Sequence, residues 1–472
     1  VPKRASNDAK SIGALHVAGG SAVLPPPEVR NTLSGRIRRT FFSSPLNTGI
    51  TLAVLAFLAW ALPPMLQWAV LDATWTGTAQ DCRAAGGGAC WAFVNEKLRF
   101  MIFGFYPPAE HWRPTAMMAL FIAMIVLSAW KASWRAELFP AWAVTLLVMF
   151  FLLTGGDRGM AATASVMAVG FALWELRAGY LRGNLAHAGL AAAVAVAVPT
   201  LVNGLGLHWF AVLAFAGLAA AAARRQGLAL PAVMLWAWAT FGVAFLSVGS
   251  TAGLSYLPTT QWSGLPLTMG LSVIGLVVAF PISIGLALGR RSNMPVLRVM
   301  CVTYIELIRG VPLITILFMA AFLFPLLLAE GMTIDKLLRV QVALIMFAAA
   351  YMAEIVRGGL QAMPRGQYEA ADALGLTYWQ KMGKIILPQA LKITIPSMVN
   401  TAIGFFKDTS LVLIIGLFDF LQAARSSMTD SAWLGFSTEG YVFAALVYFV
   451  FCFGMSRYSL KLEHDLSPER RR

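Results

Sequence analysis

Charge is scarce in this sequence. Only 12% of its 472 residues are Asp, Glu, Lys or Arg, about half the share of a soluble domain. That shortage excludes a chain that meets water on all sides. The 58% hydrophobic content and mean hydropathy of +0.71 place it in a bilayer instead. Cysteine is also rare, at four, too few for a disulfide scaffold. The five His are scattered, and no His/Cys cluster has metal-ligand spacing. No G-x-x-x-x-G-K-[ST] loop is present, so the chain has no standard cradle for nucleotide phosphates. No nucleophile-and-base constellation appears. Catalysis by this chain alone is therefore not expected. Acidic residues number 22 against 36 basic ones, a net charge of +14. In a soluble protein that excess suggests nucleic acid. In a membrane protein the positive-inside rule accounts for it, and no nucleic-acid partner is expected.

What is present is apolar sequence in membrane-length runs. A bilayer core of about 30 Å takes about 20 apolar residues as helix. About twelve such segments can be drawn, making an all-α membrane protein. The first seven fall near 48–71, 115–130, 138–154, 159–175, 187–203, 209–222 and 228–248. The last five fall near 265–289, 299–328, 338–356, 385–421 and 438–457. Residues 1–46 are polar and Pro/Ser-rich, with the basic run Arg36, Arg38 and Arg39. They read as a disordered cytoplasmic tail with no cleavable signal peptide. With twelve crossings, most Lys and Arg fall on the cytoplasmic side, and both termini are expected there. Residues 461–472 then form a short cytoplasmic tail. The long outside loop, 72–113, carries Cys82 and Cys90. An oxidising compartment makes a small local disulfide reasonable; two free thiols in a flexible loop are the alternative. Cys301 and Cys452 lie in apolar segments and read as inert core residues.

The two parts differ. Residues 47–248 are Ala-rich with few ionisable groups inside spans, and read as an added scaffold. Residues 264–460 hold the purposeful Pro, Gly and charge patterns.

Within that second part lies a polar island, EAADALGLTYWQKMGKIILP at 369–388. The run QYEAADAL is a strong helix former, and Gly375 follows as a natural C′ residue. Thr377 with Gln380 three later predicts a capping box for a second helix. Helices this short are marginal alone. Ala370, Ala371 and Ala373, beside Leu374, would let another surface approach closely. Glu369 sits early in the helix, where a carboxylate suits the dipole. One reading is a rigid knob that docks a soluble partner; the other is an amphipathic interfacial linker.

The spacing of Glu369-Ala370-Ala371, Gly375, Ile385 and Leu387-Pro388 resembles the signature of membrane subunits of bacterial ABC importers. GLPLTMGLSVIG at 264–275, YIELIRGVPLI at 304–314, AAYMAEIVRGGLQAMPRGQYEAADALG at 349–375 and GFFKDTSLVLIIGLFDFL at 404–421 resemble its polar amino-acid uptake branch. The detail is closest to the M-type permease subunit of general L-amino-acid importers. The resemblance implies a five-helix permease core at 264–460 with a coupling region at 359–388. Glu369, Ala370, Ala371, Leu374 and Gly375 would carry the contact with an ATP-hydrolysing subunit. It also implies a second, homologous permease chain, two copies of an ATP-binding subunit and a periplasmic amino-acid-binding protein. ATP and magnesium would belong to the ATPase, with no cofactor in this chain.

Two polar groups interrupt apolar surroundings. The run 385–421 would reach about 55 Å as continuous helix, far more than one crossing needs. A break is expected at Gly404, just ahead of Lys407, Asp408, Thr409 and Ser410. Intramembrane ionisable residues are costly and are functional candidates. Asp408 would suit a substrate ammonium, and the Thr409 and Ser410 hydroxyls a carboxylate. The plain alternative is that Lys407 and Asp408 pair and hold the break. Glu306 and Arg309, three apart, are expected to pair on one helix face near the cytoplasmic interface. They are candidates for the substrate pathway, as a gate, a subunit contact or a direct substrate contact; structural anchoring is the plain alternative. Pro312 predicts a kink just beyond. Glu354 and Arg357 read as residues that orient the island, or as a solvated pair. A gradient-driven secondary transporter is the rival functional class. No internal repeat pairs the first spans with the last, which counts against it.

Overall fold

The computed structural model describes Ile37 and residues 40–128, 138–155 and 254–466. The predicted spans at 159–175, 187–203, 209–222 and 228–248 lie outside the described residues, as does nearly all of the predicted N-terminal tail. The described residues form helices and their connections, with no named strand; Gly264 and Asp419 form an isolated bridge.

Six helices among the described residues are long and apolar enough to cross a membrane. A bent pair would make a seventh. The expected twelve is thus not reached among these residues.

Contacts divide the chain into two units. The described part of the first holds α1 (Pro45–Leu66), continued by a π turn, Gln67–Leu71. Ser44 caps α1 by accepting from the Asn47 N–H at 3.2 Å, and Pro45 fills the first turn. No residue of α1 is buried, and Trp60 is 75% exposed.

The second unit holds the rest: α2 (Ala79–Ala85) begins in it, followed by α3 (Trp91–Phe103), α4 (Trp112–Ser128) and α5 (Leu138–Thr154). Then come α6 (Gly264–Arg290), α7 (Pro295–Gly310), α8 (Leu313–Phe318) and α9 (Lys336–Ala362). The last are α10 (Arg365–Ala373), α11 (Tyr378–Lys381), α12 (Leu387–Asp408), α13 (Phe420–Met428) and α14 (Ser437–Leu466). Tyr106, Met117 and Phe151 share one core with Leu267, Leu344 and Phe405. The helix expected to end before a tail at 461 runs on to Leu466.

Apolar burial drives helix association little in a bilayer, so close packing of small residues matters more. The α6–α9–α12 contact follows that rule. Ala348, Ala349, Ala350 and Ala353 of α9 are buried. Gly275 of α6 faces the Phe405 ring of α12, which would lie 2.8 Å from an added Cβ. Gly359 of α9 would place a Cβ 2.4 Å from the Thr394 methyl and 2.7 Å from the Ala390 carbonyl oxygen. These two glycines set how near the helices come.

Pro312 behaves as its position predicts. It breaks α7 from α8, and the two axes bend by 103°. The long segment before α13 changes within the KDTS residues, as expected, but not at Gly404. Helix α12 passes through Gly404 without interruption and ends at Asp408. The pitch tightens only at Thr409–Ile415, a 3₁₀ stretch, and the turn comes at Gly416 with φ +74°. From Tyr378 to Ile415 the helical path is 38 residues.

Candidate functional site

The polar island folds as two short helices around a glycine turn. Pro364 precedes α10 as its N-cap residue, and Gly375 takes φ +65°. Leu376 N–H donates to the Ala371 carbonyl at 3.2 Å, and Gly375 N–H to that of Asp372 at 2.9 Å. The Thr377–Gln380 capping box is present in both directions.

Tertiary contacts decide which face of α10 is free. Tyr368 turns inward: its hydroxyl donates to the Leu360 carbonyl at 3.2 Å and accepts from Arg291 at 3.4 Å. Ala371 is completely buried. Its small side chain is needed for packing, so it is not part of the free face. Asp372 is ion-paired to Lys381, which ties α10 to α11. Glu369, Ala370 and Gly375 stay exposed, and Leu374 is 74% exposed. Glu369 has no ion pair or hydrogen bond among the described residues. The free face extends to residues that the sequence reading passed over. Trp379 is 74% exposed and meets Tyr378 edge-on with ring centroids 5.3 Å apart. The signal was in the sequence: two aromatics directly after the capping threonine, at positions with no membrane run to join.

Beside this knob, α6, α7 and α9 bring together five charged side chains. Glu354 is the centre. It accepts from Arg357 Nε at 2.7 Å and from Arg290 at 3.3 Å, and Arg309 lies 4.0 Å away. Arg290 also donates to Glu306 at 2.8 Å. Glu306 and Arg309 therefore do not pair with each other as expected. Each instead reaches a neighbouring helix, because α7 lies between partners of opposite sign. The Arg309 guanidinium rests over the Tyr351 ring at 5.5 Å. Three arginines against two carboxylates leave the cluster with one excess positive charge. Arg290 was not singled out in the sequence, since a basic residue ending a span usually meets water.

At the other end of α12, the KDTS residues are not equivalent. Lys407 is exposed and Asp408 half-buried, and no ion pair joins them. Thr409 is buried, and its hydroxyl donates to the Phe406 carbonyl at 2.7 Å. Its hydroxyl proton is used within its own helix. Asp408 and Ser410 have no such commitment among the described residues.

Just beyond lies Asp419, which the sequence did not mark. It is fully buried and caps α13, accepting from Gln422 N–H at 3.0 Å and Leu421 N–H at 3.2 Å. Tyr448 O–H donates to it at 3.4 Å. Burial pushes the Asp419 carboxyl up to about 6, against the pull of those backbone N–H groups.

At this end Cys82 and Cys90 form a disulfide, with Cα atoms 5.7 Å apart. Around it, Arg83 donates to the Ala432 carbonyl at 2.8 Å, and Cys90 N–H to Glu439 at 3.0 Å. Trp433 Nε1–H donates to Glu96 at 3.1 Å, and Lys97 pairs with Asp430 at 2.6 Å. The loop between the first spans is thus bound to the segment joining α12 to α14.

Residues 273–465 match the family described as "Binding-protein-dependent transport system inner membrane component". Over nearly its whole length the chain is similar to the inner membrane amino-acid ABC transporter permease protein YhdY of Escherichia coli (strain K12). The two are 39% identical over 453 residues, 94% of this chain and 97% of that one. It is also similar to the glutamate/glutamine/aspartate/asparagine transport system permease protein BztC of Rhodobacter capsulatus. Identity there is 38% over 451 residues, 92% of this chain and 94% of that one. A third relative, the glutamate/aspartate import permease protein GltK of Escherichia coli O6:H1, is 35% identical over 192 residues. That match covers 40% of this chain and 84% of GltK. The chain belongs to the amino-acid ABC transporter permeases, as the permease subunit of an amino-acid importer. It is a multi-pass inner-membrane protein that works in a complex, a transporter component rather than an enzyme.

Proposed function

We propose that this chain moves polar L-amino acids inward and takes its driving force from a separate ATPase through the α10–α11 knob. The observation that carries this is the split of α10 into two faces. Tyr368 and Ala371 fasten it to the bundle, while Glu369, Ala370 and Leu374 remain free. A knob fixed on one side and bare on the other transmits a push from a soluble partner to the membrane helices. Tyr368 hands that push to Arg291 at the end of α6. The adjacent Glu354 cluster ties α6, α7 and α9 at the same end. Asp408 and Ser410 are the substrate-pathway groups left free to meet an ammonium and a carboxylate. The named substrates of the BztC relative, acidic and amide amino acids, support a polar cargo.

The rest of the assembly follows the resemblance. A homologous permease chain pairs with this one, two ATP-binding subunits supply ATP and magnesium, and a periplasmic binding protein delivers substrate. The chain crosses about twelve times with both termini cytoplasmic, and the last five spans form the permease core. The test is co-purification of co-expressed ATPase with this chain, with and without Glu369→Lys, alongside ATPase activity and amino-acid uptake. Charge reversal should release the ATPase and abolish uptake. An ATPase that stays bound, with uptake unchanged, refutes the reading.

A further inference from the structure

The end of the bundle opposite the knob holds an open cavity of about 600 Å³. Its walls come from α3, from the loop that follows, and from the end of α13. Both parts are rigidly placed. Phe105 N–H donates to the Ser263 hydroxyl at 2.7 Å, and Ser263 donates to the Phe103 carbonyl at 3.0 Å. The Lys97–Asp430 pair at 2.6 Å closes the junction between α3 and α13.

Charge in the cavity is separated. Glu96 and Asp430 share a single cation, Lys97, which lies 3.5 Å from Glu96. That region carries one excess negative charge. Lys97 is held charged by the hydrogen bond to Asp430, and the same bond keeps Asp430 below the usual carboxylate range. Arg99, one helical turn from Glu96, has no carboxylate partner among the described residues. Its Nη2 donates to His111 Nδ1 at 3.3 Å, and His111 Nε2 lies 2.9 Å from the Tyr106 carbonyl. Arg99 is thus held by an imidazole rather than a carboxylate, and no opposite charge faces it among the described residues. Phe100 and Phe105 stand edge-to-face at 5.5 Å and give the cavity an apolar wall. Ser426 adds a hydroxyl at the rim.

A negative region, a separate positive group and an apolar wall match one kind of small molecule. We propose that this cavity is a receiving subsite for a free zwitterionic α-amino acid, with its carboxylate on Arg99 and its ammonium at Glu96 and Asp430. The assignment rests on the importer reading for its choice of cargo. The long loop that supplies most of the cavity belongs to the part of the chain that precedes residues 273–465. The subsite is therefore an addition to the shared core. It would raise the local concentration of substrate at the outer end of the path.

The test uses the full chain with its partner subunits in nanodiscs. Ser426→Cys carries an environment-sensitive fluorophore, in a background with Cys301→Ala and Cys452→Ala. The probes are L-glutamine, its methyl ester, which lacks the carboxylate, and N-acetyl-L-glutamine, which lacks the ammonium. L-glutamine should give a saturable response and the two blocked forms none. Arg99→Gln should weaken the response by about tenfold or more, the loss of a charge-assisted contact. Arg99→Lys should stay within a few-fold of the parent, which separates charge loss from misfolding. No saturable response to L-glutamine, equal response to either blocked probe, or an unchanged response in Arg99→Gln overturns the subsite. ATP-driven uptake is measured on the same samples. Uptake without a response removes the subsite and leaves the importer. A response without uptake removes the importer reading and leaves the binding site.

Discussion

Gly358 and Gly359 are neighbours in α9, yet alanine should act on them in opposite directions. At Gly359 an added Cβ would stand 2.4 Å from the Thr394 methyl and 2.7 Å from the Ala390 carbonyl oxygen. Carbon atoms rest at about 3.5–4.0 Å, so about 1 Å must open between α9 and α12. Neither neighbour yields easily. Ala390 presents backbone, and Thr394 is held by its hydroxyl donating to the Leu391 carbonyl at 2.9 Å. Overpacking of this kind costs about 1–3 kcal/mol. Replacing a helical glycine by alanine returns about 1 kcal/mol. Gly359→Ala should therefore lose up to about 2 kcal/mol net. Gly358 is exposed, with nothing within 4 Å of its added Cβ. Gly358→Ala should gain up to about 1 kcal/mol. The assay is thermal unfolding of each purified variant in one detergent, followed by tryptophan emission, with amino-acid uptake alongside. Uptake should fall for Gly359→Ala alone, because α9 leads into the knob and α12 leads out of it. A Gly359→Ala midpoint equal to or above that of Gly358→Ala would refute the close approach of the two helices.

Two further outcomes follow from the opposite end of the bundle. Removing the disulfide with Cys82→Ser and Cys90→Ser frees a loop of eight residues' separation. The chain-entropy cost is about 2.5 kcal/mol, and loop 72–113 should become the first region to exchange amide hydrogens. Unchanged protection there would show that the Glu439, Ala432 and Asp430 contacts suffice alone. Asp419 gives a pH signature. Its folded carboxyl is raised to about 6 from an ordinary 3.8, so the folded state takes up the proton first. Its contribution to stability must then grow as pH falls from above 6 to 3.8, reaching about 3 kcal/mol at most. Asp419→Asn should remove that part of the pH dependence when melting is compared between pH 7 and pH 4. Identical slopes in parent and variant would count against a buried, raised carboxyl.

Contacts lead from α10 inward to the membrane helices. Tyr368 reaches Arg291 at the end of α6. In the neighbouring cluster, Glu354 of α9 holds Arg290 of α6 and Arg357 of its own helix. Tyr368 also donates to the Leu360 carbonyl of α9, so α10 is fastened to the ends of both helices. At the far end, Asp419 and its Tyr448 contact tie the turn after α12 to the last span.

Local chemistry was enough to read much of this from the sequence. Two short helices around Gly375, the Thr377–Gln380 box and the kink at Pro312 depend on residues within one turn of each other, so spacing alone determines them. Long apolar runs of about 20 residues imply membrane helices because a helix satisfies its backbone groups within its own segment in lipid. Facing was beyond its reach. Ala370 and Ala371 are alike in sequence, but only the packing of α10 buries the second and leaves the first free. The α-helix runs through Gly404 and gives way only at Thr409, with the turn at Gly416, because a glycine permits a turn without requiring one. Glu306 and Arg309 suit each other by spacing, yet helices α6 and α9 offer each a nearer partner. The loop carrying Cys82 and Cys90 sits against α13 and α14 through partners more than three hundred residues away in the chain. Composition and periodicity determined the membrane class, the local turns and the knob. Which side chains are free to act was decided only by tertiary structure, because that depends on contacts between segments whose separation in sequence carries no signal.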